Sequence, residues 1–266
     1  MPLNAVKLAA DEIESPADIQ DVSAPAAPKA VAKLAVVVPT LCEAENIRVV
    51  LDRIRQSLDP LGFPYELLVV DDDSRDGIDT IVQEITETDP RVRLLVRKGE
   101  RGLGGAVLYG WQHTDAEILG VIDADLQHPP ELLPQLWKAI ESGKDVVLAS
   151  RYAPQGGLDN WHPARHLLSR MAIWMTYPLQ KPGISVKDPM AGFFMVRRSS
   201  LRNVDLHNRG FKILLEILVR ADVRSVTEIP FTFGPRRAGA SKANLKVGLD
   251  YFALLFRLWR SKSANV

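Results

Sequence analysis

A single cysteine, Cys42, occurs in 266 residues. No intrachain disulfide can form, and nothing points to an oxidising compartment. Neither sign of charge is in excess, since 33 Lys and Arg balance 33 Asp and Glu. That balance excludes the broad basic footprint of a nucleic-acid binder and makes any cationic site a local one. No apolar run reaches the roughly 20 residues of a spanning helix, because charges interrupt every one. A signal peptide is not expected either, as Lys7-Leu-Ala-Ala10 runs straight into Asp11 and Glu12. Residues 1–32 hold no aromatic side chain and no sustained periodicity. Such a stretch cannot bury enough apolar surface to offset ordering and is expected to be a disordered tail. The expected location is cytoplasmic, peripheral at most on the cytoplasmic face of a membrane.

What is present is a core. Hydrophobic residues make up 46% of the chain, enough for one large domain with appendages. Short continuous apolar runs, typical of strands buried on both faces, occur at Leu34–Pro39, Tyr65–Val70, Val92–Val96, Ile118–Asp123 and Val146–Ser150. Between them Ile47, Val50, Leu51, Ile54 and Leu58 repeat at helical spacing, as do Ile78, Ile81, Val82 and Ile85, and later Leu132, Leu133, Leu136, Trp137 and Ile140. Strands alternating with helices predict an α/β fold with a mostly parallel sheet. Past Arg151 the alternation stops. Helices are expected over 167–177, 211–220 and 245–259, with strands over 192–196 and 226–233, building an acceptor side on the same sheet. The segments around Trp174 and Trp259 are expected to be packing faces.

The chemistry gathers at Asp123-Ala-Asp-Leu-Gln-His-Pro-Pro130. A strand ending in Asp123 and Asp125 presents both carboxylates at the carboxyl edge of the sheet, where open α/β sheets bind ligands. Carboxylates that close repel each other unless a cation or donors lie between them. Mg2+ or Mn2+ suits that role, taking one or two carboxylates and drawing its other ligands from substrate phosphates and water. A bare pair of this kind is more often a solvated turn, so its neighbours decide the matter. The acidic run 71–76 is not an EF-hand loop, because Arg75 stands where the third acidic ligand belongs and Gly77 comes one residue late. Gly102-Leu-Gly-Gly-Ala106 is not a dinucleotide fingerprint, because the last glycine is replaced by Val107. It reads as a tight strand–helix turn or as a phosphate-holding helix start.

Taken together the motifs resemble one family. Pro39-Thr-Leu-Cys-Glu43 is similar to the PTYNE segment of family 2 glycosyltransferases, and Val70-Asp-Asp-Asp-Ser-Arg-Asp-Gly77 to their VDDGSPDG. Gly102–Ala106, Asp123–Pro130, Ser150-Arg-Tyr152, Phe211–Leu218 and Arg236–Lys242 follow in the family's order, closest to the dolichol-phosphate mannose synthase branch. The resemblance spans about residues 34–242. It implies a catalytic domain over 33–242, followed by an amphipathic helix over 243–266.

The resemblance further implies a GT-A fold and an inverting transfer of a hexose, mannose from GDP-mannose, to a polyprenyl or dolichyl phosphate. Pro39, Leu41, Glu43, Val70 and Asp72 would line the nucleoside site, with Ala124 beside it. Asp123, Asp125 and Gln127 would hold Mg2+ or Mn2+. Arg151, Arg165, Lys212, Arg236 and Lys242 would face the diphosphate and acceptor phosphate, and Arg236 would join Asp123 and Asp125 in catalysis. Three positions depart from the family: Leu41 replaces the usual Tyr, Cys42 the usual Asn and Asp73 the usual Gly. These departures leave guanine against uracil open.

A phosphate monoester has a second pKa near 6, so such an acceptor needs no protein base. For a hydroxyl acceptor the suspected base is Asp188. Two other readings compete: a relative using UDP-glucose or another donor or a hydroxyl acceptor, and a silent nucleotide-sugar-binding subunit serving a membrane partner. Peripheral membrane contact or such a partner subunit would be needed to meet a lipid.

Overall fold

The computed structural model describes residues 20–21, 31–158, 163–202, 204, 206, 212–234 and 245–263. The strands are β1 (Gln20–Asp21), β2 (Leu34–Thr40), β3 (Tyr65–Asp71), β4 (Val92–Val96), β5 (Ile118–Val121), β6 (Val146–Ser150), β7 (Gly157–Leu158), β8 (Phe194–Arg197), β9 (Val226–Pro230) and β10 (Thr232–Phe233). The helices are α1 (Ala44–Leu58), α2 (Ile78–Thr88), α3 (Leu103–Gln112), α4 (Leu133–Glu141), α5 (Pro163–Trp174), α6 (Ile213–Arg220) and α7 (Leu245–Ser263).

Eight strands form one sheet in the order β1-β4-β3-β2-β5-β8-β6-β9. The pairs β4–β3, β3–β2, β2–β5 and β6–β9 are parallel. β8 runs antiparallel between β5 and β6, a feature that the apolar run 192–196 did not announce. β7 and β10 pair as a separate parallel ribbon. Two residues of the stretch expected to be a tail, Gln20 and Asp21, pair with Val96 and Leu95 at the edge of β4. The rest of 1–30 lies outside the described residues.

The core follows from the two-residue period of β2. Leu34, Val36 and Val38 face α1, α2 and α4, burying Ile47, Leu51, Ile54, Val82, Leu136 and Ile140 with them. Ala35 and Val37 face the other way, onto Val107 and Trp111 of α3 and Leu214 and Ile217 of α6. Each such aliphatic side chain, fully buried, contributes on the order of 1.5–3 kcal/mol. A third cluster joins α5, α6 and α7 through Ile173, Leu215, Tyr251, Leu254 and Leu258. α7 is therefore docked on the domain.

The antiparallel β8 decides what the site is made of. Its first residue, Phe194, pairs with Val121 of β5 and Leu148 of β6. The segment entering β8 consequently lies between the carboxyl ends of β5 and β6, beside Asp123 and Arg151.

Candidate active site

The first wall is built where β2 and β3 end. Pro39 and Val70 are register partners. Pro39 lies beyond Val37, the last β2 residue paired with β5, so its missing N–H costs that ladder nothing. After the strands the acidic run stitches loops together. Asp71 Oδ1 accepts from Thr40 Oγ1 at 2.8 Å and Ser74 Oγ at 2.7 Å, and burial holds its pKa above the usual carboxylate range. Cys42 N–H donates to Ser74 Oγ and Ala44 N–H to Asp76 Oδ2. Glu43 is buried and accepts from Asn46 Nδ2 at 2.9 Å. Leu41 follows β2 on the same loop.

Asp72 is buried too. Arg97 Nε donates to its Oδ1 at 2.8 Å, and Gly102 N–H to its Oδ2 at 2.7 Å. The glycine run thus starts α3 against a carboxylate, the tight-turn reading. Gly105 leaves room for the arginine: a Cβ there would lie 2.4 Å from Arg97 Nη1. In the sequence, only its place just after β4 marks Arg97.

The second wall is the turn after β5. Asp125 is buried, and its Oδ1 accepts from Gln127 N–H at 3.1 Å. Gln127 Nε2 donates to Gly234 O at 3.1 Å, so the atom it could offer a cation is its amide oxygen. Leu126 between them has φ 60°, a conformation that costs a bulky side chain on the order of 1–3 kcal/mol and clusters at functional sites. Ala124 is buried in the same turn. His128 packs among the rings of Phe193, Phe231 and Phe233. Its Nδ1 is buried without a hydrogen bond, 3.5 Å from Asp123 Oδ2. Burial, with Arg151 nearby, pushes its pKa down to about 3, so the contact is not an ion pair.

Among the described residues no three His, Cys, Asp or Glu side chains form a metal cage. Two carboxylates and an amide oxygen nonetheless suit a hard divalent cation that takes its remaining ligands from phosphate and water.

The third wall is basic. Arg151 grips Asp188 as a fork, Nε to Oδ2 at 2.8 Å and Nη2 to Oδ1 at 2.7 Å, with a further bond from its own N–H. Asp188 is fully buried. Lys212 is not the surface lysine that its amphipathic helix suggests. It sits at the start of α6 and donates from Nζ to Met190 O at 3.2 Å. Burial, with Arg151 beside it, pulls its pKa to about 8. Both cations act electrostatically on Asp123. The structure thus gathers Asp123, Arg151 and Lys212 at one sheet edge. Arg165 falls in the first turn of α5, its side chain outside what is described. Arg236 and Lys242 lie outside the described residues.

Comparison with known proteins identifies the fold and the family. The dolichol-phosphate mannosyltransferase of Pyrococcus furiosus is 41% identical over 229 residues, 86% of this chain and 64% of that protein. The one from Mycosarcoma maydis is 37% identical over 241 residues, 87% of this chain and 80% of that protein. The chain therefore spans just under two thirds of the archaeal relative's length. Among solved structures, a Pyrobaculum calidifontis mannosyltransferase in complex with GDP-Man and Mn2+ superposes with TM-score 0.51 at 20% identity. That match covers 85% of this chain and 62% of that one. The fold is GT-A, a mostly parallel sheet flanked by helices. The family model for Glycosyl transferase family 2 matches residues 35–205, and the chain belongs to that family.

Proposed function

We propose that the chain is an inverting glycosyltransferase that moves mannose from GDP-mannose to the phosphate of a polyprenyl phosphate, with Mg2+ or Mn2+ as cofactor. The mannosyltransferases that it resembles support the sugar and the lipid phosphate. The observation that carries the acceptor is the state of Asp188. A hydroxyl acceptor needs a base, and the suspected carboxylate is fully buried with both oxygens held by Arg151. His128, also at the site, is held near pKa 3 and is a feeble base at neutral pH. A phosphate acceptor arrives already deprotonated.

In this reading Pro39, Leu41, Glu43, Val70 and Asp72 line the nucleoside side, with Ala124 in the turn beside it. Asp123, Asp125 and the amide oxygen of Gln127 hold the cation. A cation held there would neutralise the diphosphate and stabilise the charge of the leaving group. Arg151 and Lys212 supply fixed positive charge where the phosphates meet, and Arg165, Arg236 and Lys242 orient the acceptor phosphate. Arginine suits that task because its planar fork bonds two oxygens at once. The lipid is met through the exposed apolar faces of α5 and α7, resting on a membrane.

GDP-mannose and UDP-glucose, each offered with polyprenyl phosphate and with free polyprenol, test the reading through lipid-extractable label. Product is expected with GDP-mannose and the phosphate alone. Equal use of the free alcohol would overturn the acceptor, and preference for UDP-glucose the donor. No transfer under any pairing would favour a silent binding subunit.

A further inference from the structure

We infer that the segment Asp188-Pro-Met-Ala-Gly192 is the positioning element of this site, with Asp188 and Gly192 as positioning residues for Arg151 and Asp123. The inference rests on the proposed metal and diphosphate roles of those two side chains. Three contacts leave the segment for three members of the site. Asp188 holds the Arg151 guanidinium through both carboxylate oxygens. Met190 O accepts from Lys212 Nζ at 3.2 Å. Gly192 leaves the space that the Asp123 carboxylate fills: a Cβ there would lie 2.7 Å from Asp123 Oδ2 and 3.3 Å from its Cγ.

The segment is itself anchored. Glu228 of β9 takes Lys187 N–H on Oε2 at 3.0 Å and Asp188 N–H on Oε1 at 3.1 Å. Ala191 N–H closes a turn onto Asp188 O at 3.2 Å, and Phe193 O accepts from Ala149 N–H at 2.9 Å. Then β8 locks between β5 and β6. A backbone tied to the sheet at both ends therefore sets a cation, a second cation and a carboxylate relative to one another. Charge would otherwise scatter them: Arg151 and Lys212 repel, and both are drawn to Asp123.

Gly192 is the sharper half. The same oxygen, Asp123 Oδ2, also has the buried His128 ring beside it, with Nδ1 3.5 Å away. A methyl group on residue 192 would overlap Asp123 Oδ2, so the carboxylate must turn and the oxygen proposed to hold the cation moves with it. Groups that orient metal ligands are worth about 10–100-fold in affinity.

The test uses the full chain and reads Mn2+ binding alongside turnover. Mn2+ is titrated by electron paramagnetic resonance in the presence of GDP, and in parallel UDP, while thermal melting is followed. Gly192→Ala is expected to weaken Mn2+ by about tenfold or more with its melting temperature unchanged. Glu228→Gln, which keeps one acceptor for the two N–H groups, is expected to leave Mn2+ binding near wild type and to raise the KM for the nucleotide sugar. Asp188→Asn is expected to do the same more strongly, if it folds. Mn2+ affinity of Gly192→Ala equal to wild type overturns the inference. Wild type that binds Mn2+ with UDP and not GDP fails the donor assignment only, and the variants are then read with UDP. Wild type that binds Mn2+ with neither nucleotide overturns both.

Discussion

Arg97 Nε and Asp72 Oδ1 meet at 2.8 Å with both side chains buried, joining the end of β3 to the end of β4. This pair changes what a substitution at Asp72 reports. Removing one partner of a buried pair leaves the other charge unpaired, at about 3–5 kcal/mol. Asp72→Ala is therefore expected to lower stability by several kcal/mol as well as weakening nucleotide binding. Asp72→Asn keeps an acceptor for Arg97 or for Gly102 N–H and should lose less stability. Urea unfolding and calorimetric titration with GDP and Mn2+ check the two effects separately. Full stability of Asp72→Ala would mean that Arg97 does not depend on it.

Cys42 and Asp73 have φ 55° and 53°. These are the positions where the family carries Asn and Gly, the residues that tolerate a left-handed backbone best. Cys42 is exposed, so replacing it sacrifices little packing. Cys42→Asn is expected to raise stability by about 0.5–1 kcal/mol, or about 1–3 °C in melting temperature for a domain of this size. An unchanged or lower melting temperature would show that the loop is indifferent to backbone strain there.

Strands buried on both faces need continuous apolar runs, so β2 to β6 were legible in order from residues such as Val36–Val38 and Leu67–Val70. The same runs carry no direction, so the antiparallel insertion of β8 was not. The acidic turn was legible because Asp123, Asp125 and Gln127 lie within five residues on one strand end. Arg97, Glu228 and Gly192 were not, because their partners lie 25, 40 and 41, and 69 positions away and only the folded sheet unites them. Asp188 shows the same limit. A carboxylate in sequence looks like a base, and only its arginine reveals a clamp.

Asp125→Asn isolates the proposed cation role. Asparagine keeps an oxygen to accept the Gln127 N–H that now bonds Asp125 Oδ1, so the turn should persist and melting should stay near wild type. Turnover is expected to fall by about 10² or more, as for the loss of several kcal/mol of charge stabilisation. EDTA should abolish wild-type activity and Mn2+ or Mg2+ restore it. Full activity in chelator would remove the metal from the mechanism.

Lys212 is expected to set an alkaline limit on activity. Burial first, then Arg151, lowers its pKa from the ordinary 10.5 to about 8, so the ammonium is lost as pH rises through 8. The pH profile of kcat/KM should fall above about 8, and that of kcat at higher pH, because a bound phosphate favours the charged form. Lys212→Arg should remove the limb. The sign for stability is opposite: between about 8 and 10.5 the unfolded chain holds the proton that the folded chain has released. This group therefore makes folding more favourable as pH rises through that window. A kcat/KM profile flat to pH 10 would show that the Lys212 charge is not used.

Trp174 is 72% exposed and Trp259 60% exposed, against the expectation that these segments pack inward. Leu167, Leu168, Met171 and Trp174 are exposed on α5, and Phe252, Phe256 and Trp259 on α7 at i, i+4 and i+7. The opposite face of α7 is spent on the domain through Tyr251, Leu254, Leu255 and Leu258. Tyr251 Oη ties the two helices together at Ala172 O, 2.5 Å away. Apolar side chains left out of the core on two joined helices need a partner. No described helix is long and apolar enough to cross a membrane, but an amphipathic helix can lie in the interface. Arg260 sits over the Phe256 ring at 5.9 Å, and Arg257 lies on the same helix. Basic residues at a membrane surface favour anionic headgroups by about 1 kcal/mol each. Cosedimentation with phosphatidylserine vesicles is therefore expected at low salt, weakening as salt rises, and much less with neutral vesicles. Trp174→Ser with Trp259→Ser should abolish it while lowering the melting temperature little, because both rings are mostly exposed. The same double variant should lose activity toward polyprenyl phosphate in vesicles more than toward a short, detergent-dispersed acceptor. If the wild type stays in the supernatant with anionic vesicles at low salt, these faces meet a protein partner or a second copy instead of a bilayer.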